Sequence, residues 1–350
     1  MTASGPNTLA GEHFTDPVDR MASGYRACQI LLTANRLGLF EQLIEGPLSA
    51  EDLSSRLDAD RRGVRILCDA LVAEGLLERA DDGYTNGPLA EQFLLESSPV
   101  SRVHSLHHTA KLYERWGRLF DAVKHGRPIP DERLDPALVG NEEQFAKAMA
   151  DVGRVSAAET SKVLDLDGVR RLLDIGGGPA IYAIEFARRN PDLEVVVFDS
   201  EATLTVAESN IRAAELEKRV TCRVGDALED DLGGPYDLIF ISNVVHIYSA
   251  ATNRRLLARC ASALAPGGRL VIKDFLLDDN RLGPPGGAVF AVNMLVSTES
   301  GDCYTVSEVK DWLSAHGLLF ESLTDVATKS RLLTARKPSR GRPQGAPLHQ

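Results

Sequence analysis

The chain lacks several features that would mark a special class of protein. It has no stretch of about 18 or more apolar residues, and its first thirty residues lack a basic start followed by an apolar run. A membrane span and a secretory leader are therefore not expected. Cysteine is sparse: Cys28, Cys68, Cys222, Cys260 and Cys303 are far apart and odd in number, with no Cys-x-x-Cys pair and no clustered histidines. They read as reduced, mostly buried thiols, which excludes a disulfide framework and a zinc site and points to the cytoplasm. No metal is expected. Positive charge is in deficit, 39 Lys and Arg against 50 Asp and Glu for a net −11. A general binder of nucleic acid or membrane surface is a poor fit to that balance. What remains is ordinary, 43% hydrophobic and 25% charged over 350 residues, enough for two domains or one large one.

Residues 1–15 and 338–350 are polar and rich in Gly, Pro and Ser, and read as loose tails. Residues 1–100 form a first division. Apolar residues recur at spacings of three and four in YRACQILLTANRLGLFEQLI and VRILCDALVAEGLL, with Gly38 and Gly75 at the expected helix ends. Ser49, three residues before Asp52, has the spacing of a capping box. A hairpin turning at Asp81-Asp82-Gly83 completes a helix, helix, hairpin order that reads as a winged helix-turn-helix. Such a unit raises DNA binding, but residues 1–100 hold eight Arg and no Lys against sixteen Asp and Glu, the wrong balance for neutralising phosphates. Self-association as a symmetric dimer is the alternative use of its apolar helix faces.

Residues 101–166 read as a helical connector, with Trp116 and Phe120 four apart, a loop at Pro128, Pro130 and Pro136, and helical periodicity again from Glu142 to Leu166. From 167 to 337 the pattern alternates. Strands are expected at 171–175, 194–199, 219–223, 236–241, 268–275, 317–324 and 330–336, and helices near 180–189, 202–216, 251–264 and 306–315. That order predicts an α/β domain, a parallel sheet covered on both faces, with its ligand site at the carboxyl ends of the strands near the switch point.

The most informative local signal is RRLLDIGGGPAIYAIEFARR, residues 170–189: an apolar strand, then Asp174-Ile175-Gly176-Gly177-Gly178, then a helix. Glycines there permit positive φ and let a ligand lie against bare backbone, beside free N–H groups of the helix start. A nucleotide-like ligand is implied. A dinucleotide fingerprint would need glycine where Ile181 stands, and no P-loop lysine follows. Asp199, ending the next strand, is placed to accept both hydroxyls of a ribose, or else to cap the following helix. Asp226, in Gly225-Asp226-Ala227, is placed to accept from an adenine amine, or is a turn aspartate.

This glycine loop, acidic strand end and Gly-Asp-Ala, in that order, resemble class I S-adenosylmethionine-dependent methyltransferases. With the winged-helix-like layer ahead of them, residues 18–337 resemble the small-molecule O-methyltransferases of the caffeic acid, hydroxyindole and polyketide type. The resemblance implies a Rossmann-like seven-stranded sheet, a homodimer joined through its first domain, S-adenosyl-L-methionine as methyl donor and an aromatic or polyketide-like acceptor. It implies donor contacts at Asp174, Gly176, Gly177, Gly178, Asp199, Gly225, Asp226, Ala227, Ser242 and Asn243. It implies an acceptor pocket lined by Phe145, Met149, Phe290, Asn293 and Met294, the same helical spacing in Phe145 and Met149 being equally that of core residues.

His246, after the run Phe240-Ile241-Ser242-Asn243-Val244-Val245, matches the position of the family's catalytic base, and Asp274 that of the acid supporting it. The chemistry is coherent, because a phenol is largely protonated at neutral pH while the imidazole side chain is a base of suitable strength. Proton removal as attack begins contributes about 10²–10⁴ in rate. Asp274 could instead pair with Lys273. Two departures stand out: His246-Ile247-Tyr248 replaces the family's His-Asp-Trp, and Cys303 in Gly301-Asp302-Cys303-Tyr304-Thr305 stands where a second acid is expected, with Asp302 as a possible substitute. C- or N-methylation, a non-methylating reaction on the same scaffold, a ligand-sensing DNA regulator and a silent partner subunit remain alternatives.

Overall fold

The computed structural model describes residues 16–81, 83–130, 140–326 and 330–339. The expected tails therefore lie outside the described residues, save Pro338 and Ser339, as do Asp82 and Pro136. The chain divides within one helix into two compact units, one ending at Lys111 and one beginning at Leu112.

The first unit contains α1 (Pro17–Ser23), α2 (Tyr25–Leu37), α3 (Leu39–Gln42), α4 (Ala50–Arg56), α5 (Arg61–Ala73), the hairpin β1 (Leu77–Ala80) and β2 (Gly83–Asn86), α6 (Pro88–Phe93) and the first part of α7 (Val103–Trp116). Gly38 closes α2 in the left-handed conformation, as its position in the sequence requires. Ser49 caps α4, its Oγ accepting from Asp52 N at 3.1 Å. The Asp52 carboxylate, however, accepts from the Ser49 hydroxyl at 2.6 Å rather than from its backbone. Ala80 stands opposite Gly83 across the hairpin. A Cβ on Gly83 would lie 2.2 Å from Leu48 O, so only glycine allows the adjoining bridge between Leu48 and Tyr84. Leu39, Phe40, Leu53, Cys68, Leu71, Leu77 and Tyr84 form the core.

The second unit contains α8 (Leu119–His125), α9 (Glu142–Val163), β3 (Arg171–Ile175), α10 (Ile181–Arg189), β4 (Glu194–Asp199), α11 (Glu201–Ala213), β5 (Val220–Val224), β6 (Tyr236–Ser242), α12 (Ala250–Ala263), β7 (Leu264–Asp274), α13 (Pro285–Ser297), α14 (Val306–Ala315), β8 (Leu319–Val326) and β9 (Ser330–Arg336). The seven strands are ordered β5-β4-β3-β6-β7-β9-β8. Five pair in parallel, but β9 runs antiparallel to both neighbours. The seven-stranded sheet is as expected, and β9 departs from the parallel order that the alternation predicts: strand residues carry no mark of direction, and the short link from β8 to β9 leaves no room for a crossover.

Leu172, Leu238, Phe240 and Val271 pack on one face of the sheet with Phe186 of α10. Ile239, Ile241, Leu270 and Ile272 pack on the other with Leu256 and Leu257 of α12 and Trp312 of α14. Helix α9 begins with a full capping box between Asn141 and Gln144 and packs on α10 and α11. Helix α13 was not expected, because PGGAVFAVNMLVS is apolar on every side and carries no helical period. Among the described residues no helix is long and apolar enough to cross a membrane, and no group of side chains could hold a metal ion.

Candidate active site

Chain order reverses between β3 and β6, and the site residues gather at the carboxyl ends of these strands and their neighbours. Gly176 and Gly178 adopt φ of +64° and +54°. A Cβ on Gly176 would lie 2.6 Å from Val244 Cγ2, and one on Gly177 2.7 Å from Val197 and 2.8 Å from the Asp174 carboxyl group. Beyond Gly178 the space is open. The backbone is thus packed tightly from below and bare above, the shape a flat or extended ligand needs. Asp174 is 1% exposed, and neither carboxylate oxygen has a hydrogen-bond partner among the described residues. Burial, then the charge of Asp199, push its pKa well above the ordinary carboxylate range.

Asp199 anchors the far side of this loop. Its carboxylate accepts from Gly178 N at 2.8 Å and Ser200 N at 2.7 Å. Burial raises its pKa, those two N–H groups lower it, and the charge of Glu142 raises it again. Glu142, at the start of α9, accepts from Ser200 Oγ at 2.6 Å. Neither Glu142 nor Ser200 was found in the sequence, since nothing local links residues 58 apart. Gly225 follows β5 and donates to Asp199 O at 3.1 Å, and its missing Cβ spares the Phe198 ring. Asp226 accepts from Leu228 N at 2.8 Å, so its turn role is real, while Ala227 O accepts from Arg259. Tyr248 stands near both acids: burial, then the charges of Asp226 and Asp199, raise its pKa.

Beyond β6, Ser242 is buried with its hydroxyl unpartnered among the described residues, and Asn243 takes φ of +57° with its Oδ1 likewise unpartnered. His246 follows in a 3₁₀ turn, Val245–Ile247, and is 7% exposed. Its Nδ1 lies 2.7 Å from Asp274 Oδ1, and its backbone N–H donates to Asp274 Oδ2 at 3.3 Å. Burial alone would raise the Asp274 pKa. The His246 charge and hydrogen bond, the Phe275 N–H and the Lys273 charge instead hold it below the ordinary carboxylate range. An ionised Asp274 must accept, so Nδ1 carries a proton, and in the neutral form of the ring the lone pair is on Nε2.

The turn bearing His246 is tied down on every side. Asn253, fully buried on α12, donates to Val245 O at 2.8 Å and Tyr248 O at 3.2 Å. Tyr304 donates to Tyr248 O at 2.6 Å, and Asp302 N to His246 O at 3.0 Å. Asp302, the alternative for the missing second acid, pairs its carboxylate with Arg281 at 3.1 Å and accepts from Cys303 N at 2.8 Å. Cys303 is buried, its thiol pushed up to about 12 by burial and by the charges of Asp274 and Asp302. It is a neutral neighbour of the supporting acid.

Aromatic groups close the other side. The Phe290 ring of α13 meets His246 edge-on at 4.9 Å and stacks on Phe275 at 4.0 Å. Asn293, one turn on, accepts from Trp116 Nε1 at 3.0 Å. Met294 is buried, while Phe145 on α9 is 49% exposed and Met149 partly buried one turn later. Phe275 and Trp116 thus join the group although neither was expected there.

Residues 117–319 match the O-methyltransferase domain, and residues 20–96 the O-methyltransferase dimerisation domain. The chain is 33% identical over 302 residues to 3-hydroxy-5-methyl-1-naphthoate 3-O-methyltransferase of Streptomyces sahachiroi, covering 85% of this chain and 87% of that one. It is 29% identical over 338 residues to the tetracenomycin polyketide synthesis 8-O-methyl transferase of Streptomyces glaucescens, covering 93% and 98%. The crystal structure of human N-acetylserotonin methyltransferase in complex with S-adenosylmethionine superposes with a TM-score of 0.80 at 28% identity, covering 94% of this chain and all of that one. Matched in both domains and along most of its length, this chain belongs to the O-methyltransferase family.

Proposed function

We propose that this enzyme transfers a methyl group from S-adenosylmethionine to a hydroxyl of an aromatic or polyketide-like small molecule, with His246 as general base. The pairing of His246 with a buried, ionised Asp274, at the switch point beside the glycine loop, carries this reading.

The residues present fit the donor. The glycine loop is a cradle that side chains would fill, and Asp174 is a buried acid with no partner of its own among the described residues. Asp174 would receive the ammonium group, Asp199 the ribose hydroxyls, and Asp226 with Tyr248 the adenine end. When bound, the donor supplies an electrophilic methyl group on a sulfonium. The protein's part is to hold the acceptor oxygen in line and take its proton. Nε2 of His246 accepts that proton, and Asp274 stabilises the imidazolium and fixes the tautomer. Phe290, Phe275 and Asn293, with Phe145 and Met149, hold a flat ring beside it. The relatives named above act on a naphthoate and on a polyketide, which supports an aromatic hydroxyl over carbon or nitrogen acceptors.

A homodimer is supported by the dimerisation-domain match and by the exposed apolar residues Val18, Met21 and Tyr25 of α1 and α2. On α5, Arg61 pairs with Glu51 and Arg65 with Asp69, so neither is held out for DNA phosphate. The five unpaired thiols fit a cytoplasmic enzyme.

The test is incubation with methyl-labelled donor and a panel of hydroxynaphthoates, phenolic acids and polyketide aglycones, with product mass and NMR locating the label. Label on an aromatic oxygen, lost by about 10²–10⁴ in His246→Ala, is expected. Label on carbon or nitrogen, or full turnover in His246→Ala, overturns the proposal.

A further inference from the structure

Lys273 is a buried cation for which the reaction just described has no use. It is the last residue but one of β7 and is 2% exposed. Side chains alternate along a strand, so it points away from Asp274 and His246. Register fixes its company: Lys273 stands beside Ser242, Phe240 beside Val271, and Phe240 beside Asp174. Asp174, Ser242 and Lys273 therefore share the sheet face that α10 covers, at the carboxyl ends of three adjacent strands. The ring contacts agree, since Tyr182 of α10 lies 5.4 Å from Phe240 and its centroid 5.5 Å from Lys273 Nζ.

The Ser242 hydroxyl and both Asp174 oxygens have no partner among the described residues, and the Lys273 ammonium faces the Tyr182 ring rather than an anion. Such a cation costs free energy unless an anion meets it. Its position sharpens the point, because Tyr182 is the second residue of α10 and the positive end of that helix lies close by. A cation beside a helix start is repelled, whereas an anion held between the two is attracted by both.

Strands are spaced about 4.8 Å apart, so an acid on β3 and a lysine two strands away on β7, with a hydroxyl on the strand between, leave about 10 Å across the strands, room for an amino-acid zwitterion with a hydrogen bond at each end. We infer that Lys273, assisted by Ser242, binds the carboxylate at the amino-acid end of the methyl donor, opposite the ammonium held by Asp174. This rests on the donor proposed above.

Calorimetric titration of the full chain with three probes tests it. S-adenosylhomocysteine carries both ends of the zwitterion, decarboxylated S-adenosylmethionine keeps only the ammonium, and 5′-deoxy-5′-methylthioadenosine has neither. Lys273→Met is expected to weaken S-adenosylhomocysteine by about 10–100-fold and leave the other two unchanged, the loss of one charge-assisted contact. Unchanged affinity for S-adenosylhomocysteine, or an equal loss for all three, overturns the inference. Should Lys273→Met fail to fold, Ser242→Ala takes its place, with a loss of about 3–10-fold confined to S-adenosylhomocysteine and the same overturning results. Wild-type protein that binds none of the probes overturns the donor assignment itself, and this inference with it.

Discussion

Replacing Asp174 by Asn should stabilise the free protein while weakening its hold on the donor. The carboxylate is 1% exposed, has no hydrogen-bond partner among the described residues and faces the charge of Asp199. A buried group left in that state costs about 1–3 kcal/mol, more when charged. Asn leaves polar atoms unpaired too but carries no charge, so what is relieved is the charged part, about 1–3 kcal/mol, which raises Tm by about 2–10 °C for a domain of this size. The pH dependence follows from the raised pKa. The unfolded chain loses this proton near the ordinary aspartate value, whereas the folded chain keeps it to higher pH, so wild-type stability falls across that window and levels off above it. The variant lacks the titration. Its advantage should be greatest above the raised pKa and vanish below the ordinary aspartate range. Scanning calorimetry of both proteins from pH 4 to 8 reads the difference, and titration with S-adenosylhomocysteine at pH 7.5 should show at least about a tenfold loss of affinity. A lower Tm in the variant at pH 7.5, or a difference that does not change with pH, would refute the reasoning.

Asp274→Asn removes the charge that stabilises the imidazolium and the acceptor that fixes its tautomer. Turnover should fall by about 10²–10⁴ with affinity for S-adenosylhomocysteine retained; steady-state kinetics beside a binding titration checks this, and a loss of affinity alone would contradict it. Gly177→Ala forces a Cβ to within 2.7 Å of Val197 and 2.8 Å of the Asp174 carboxyl group. A destabilisation of about 1–3 kcal/mol, with weaker donor binding, should appear in denaturant unfolding and titration; an unchanged protein would show that the loop relaxes freely.

Much of this was legible in the chain because period and punctuation are local. Six of the seven expected strands lie within two residues of their observed starts, and Gly38, Ser49 and the glycine loop do what their chemistry requires. β7 is the exception, beginning at Leu264 because the chain pairs with Tyr236 before a register shift. Direction and distance were not legible. The reversal of β9 depends on link length, and α13 hid in an apolar run that no polar face interrupts. The choice for Asp274 between Lys273 and His246 was settled by strand alternation: the two neighbours point to opposite faces, leaving Asp274 to meet a histidine 28 residues away. Asn253, which holds both ends of the His246 turn, gives no signal in a polar helix start.

A crystal structure of the full chain with S-adenosylhomocysteine bears most directly on all of this. The adenosyl group should lie along Gly176 to Gly178 with its ribose on Asp199, and the sulfur should sit on the Nε2 side of His246. Nucleoside bound elsewhere, or a sulfur facing away from that imidazole, would contradict the account.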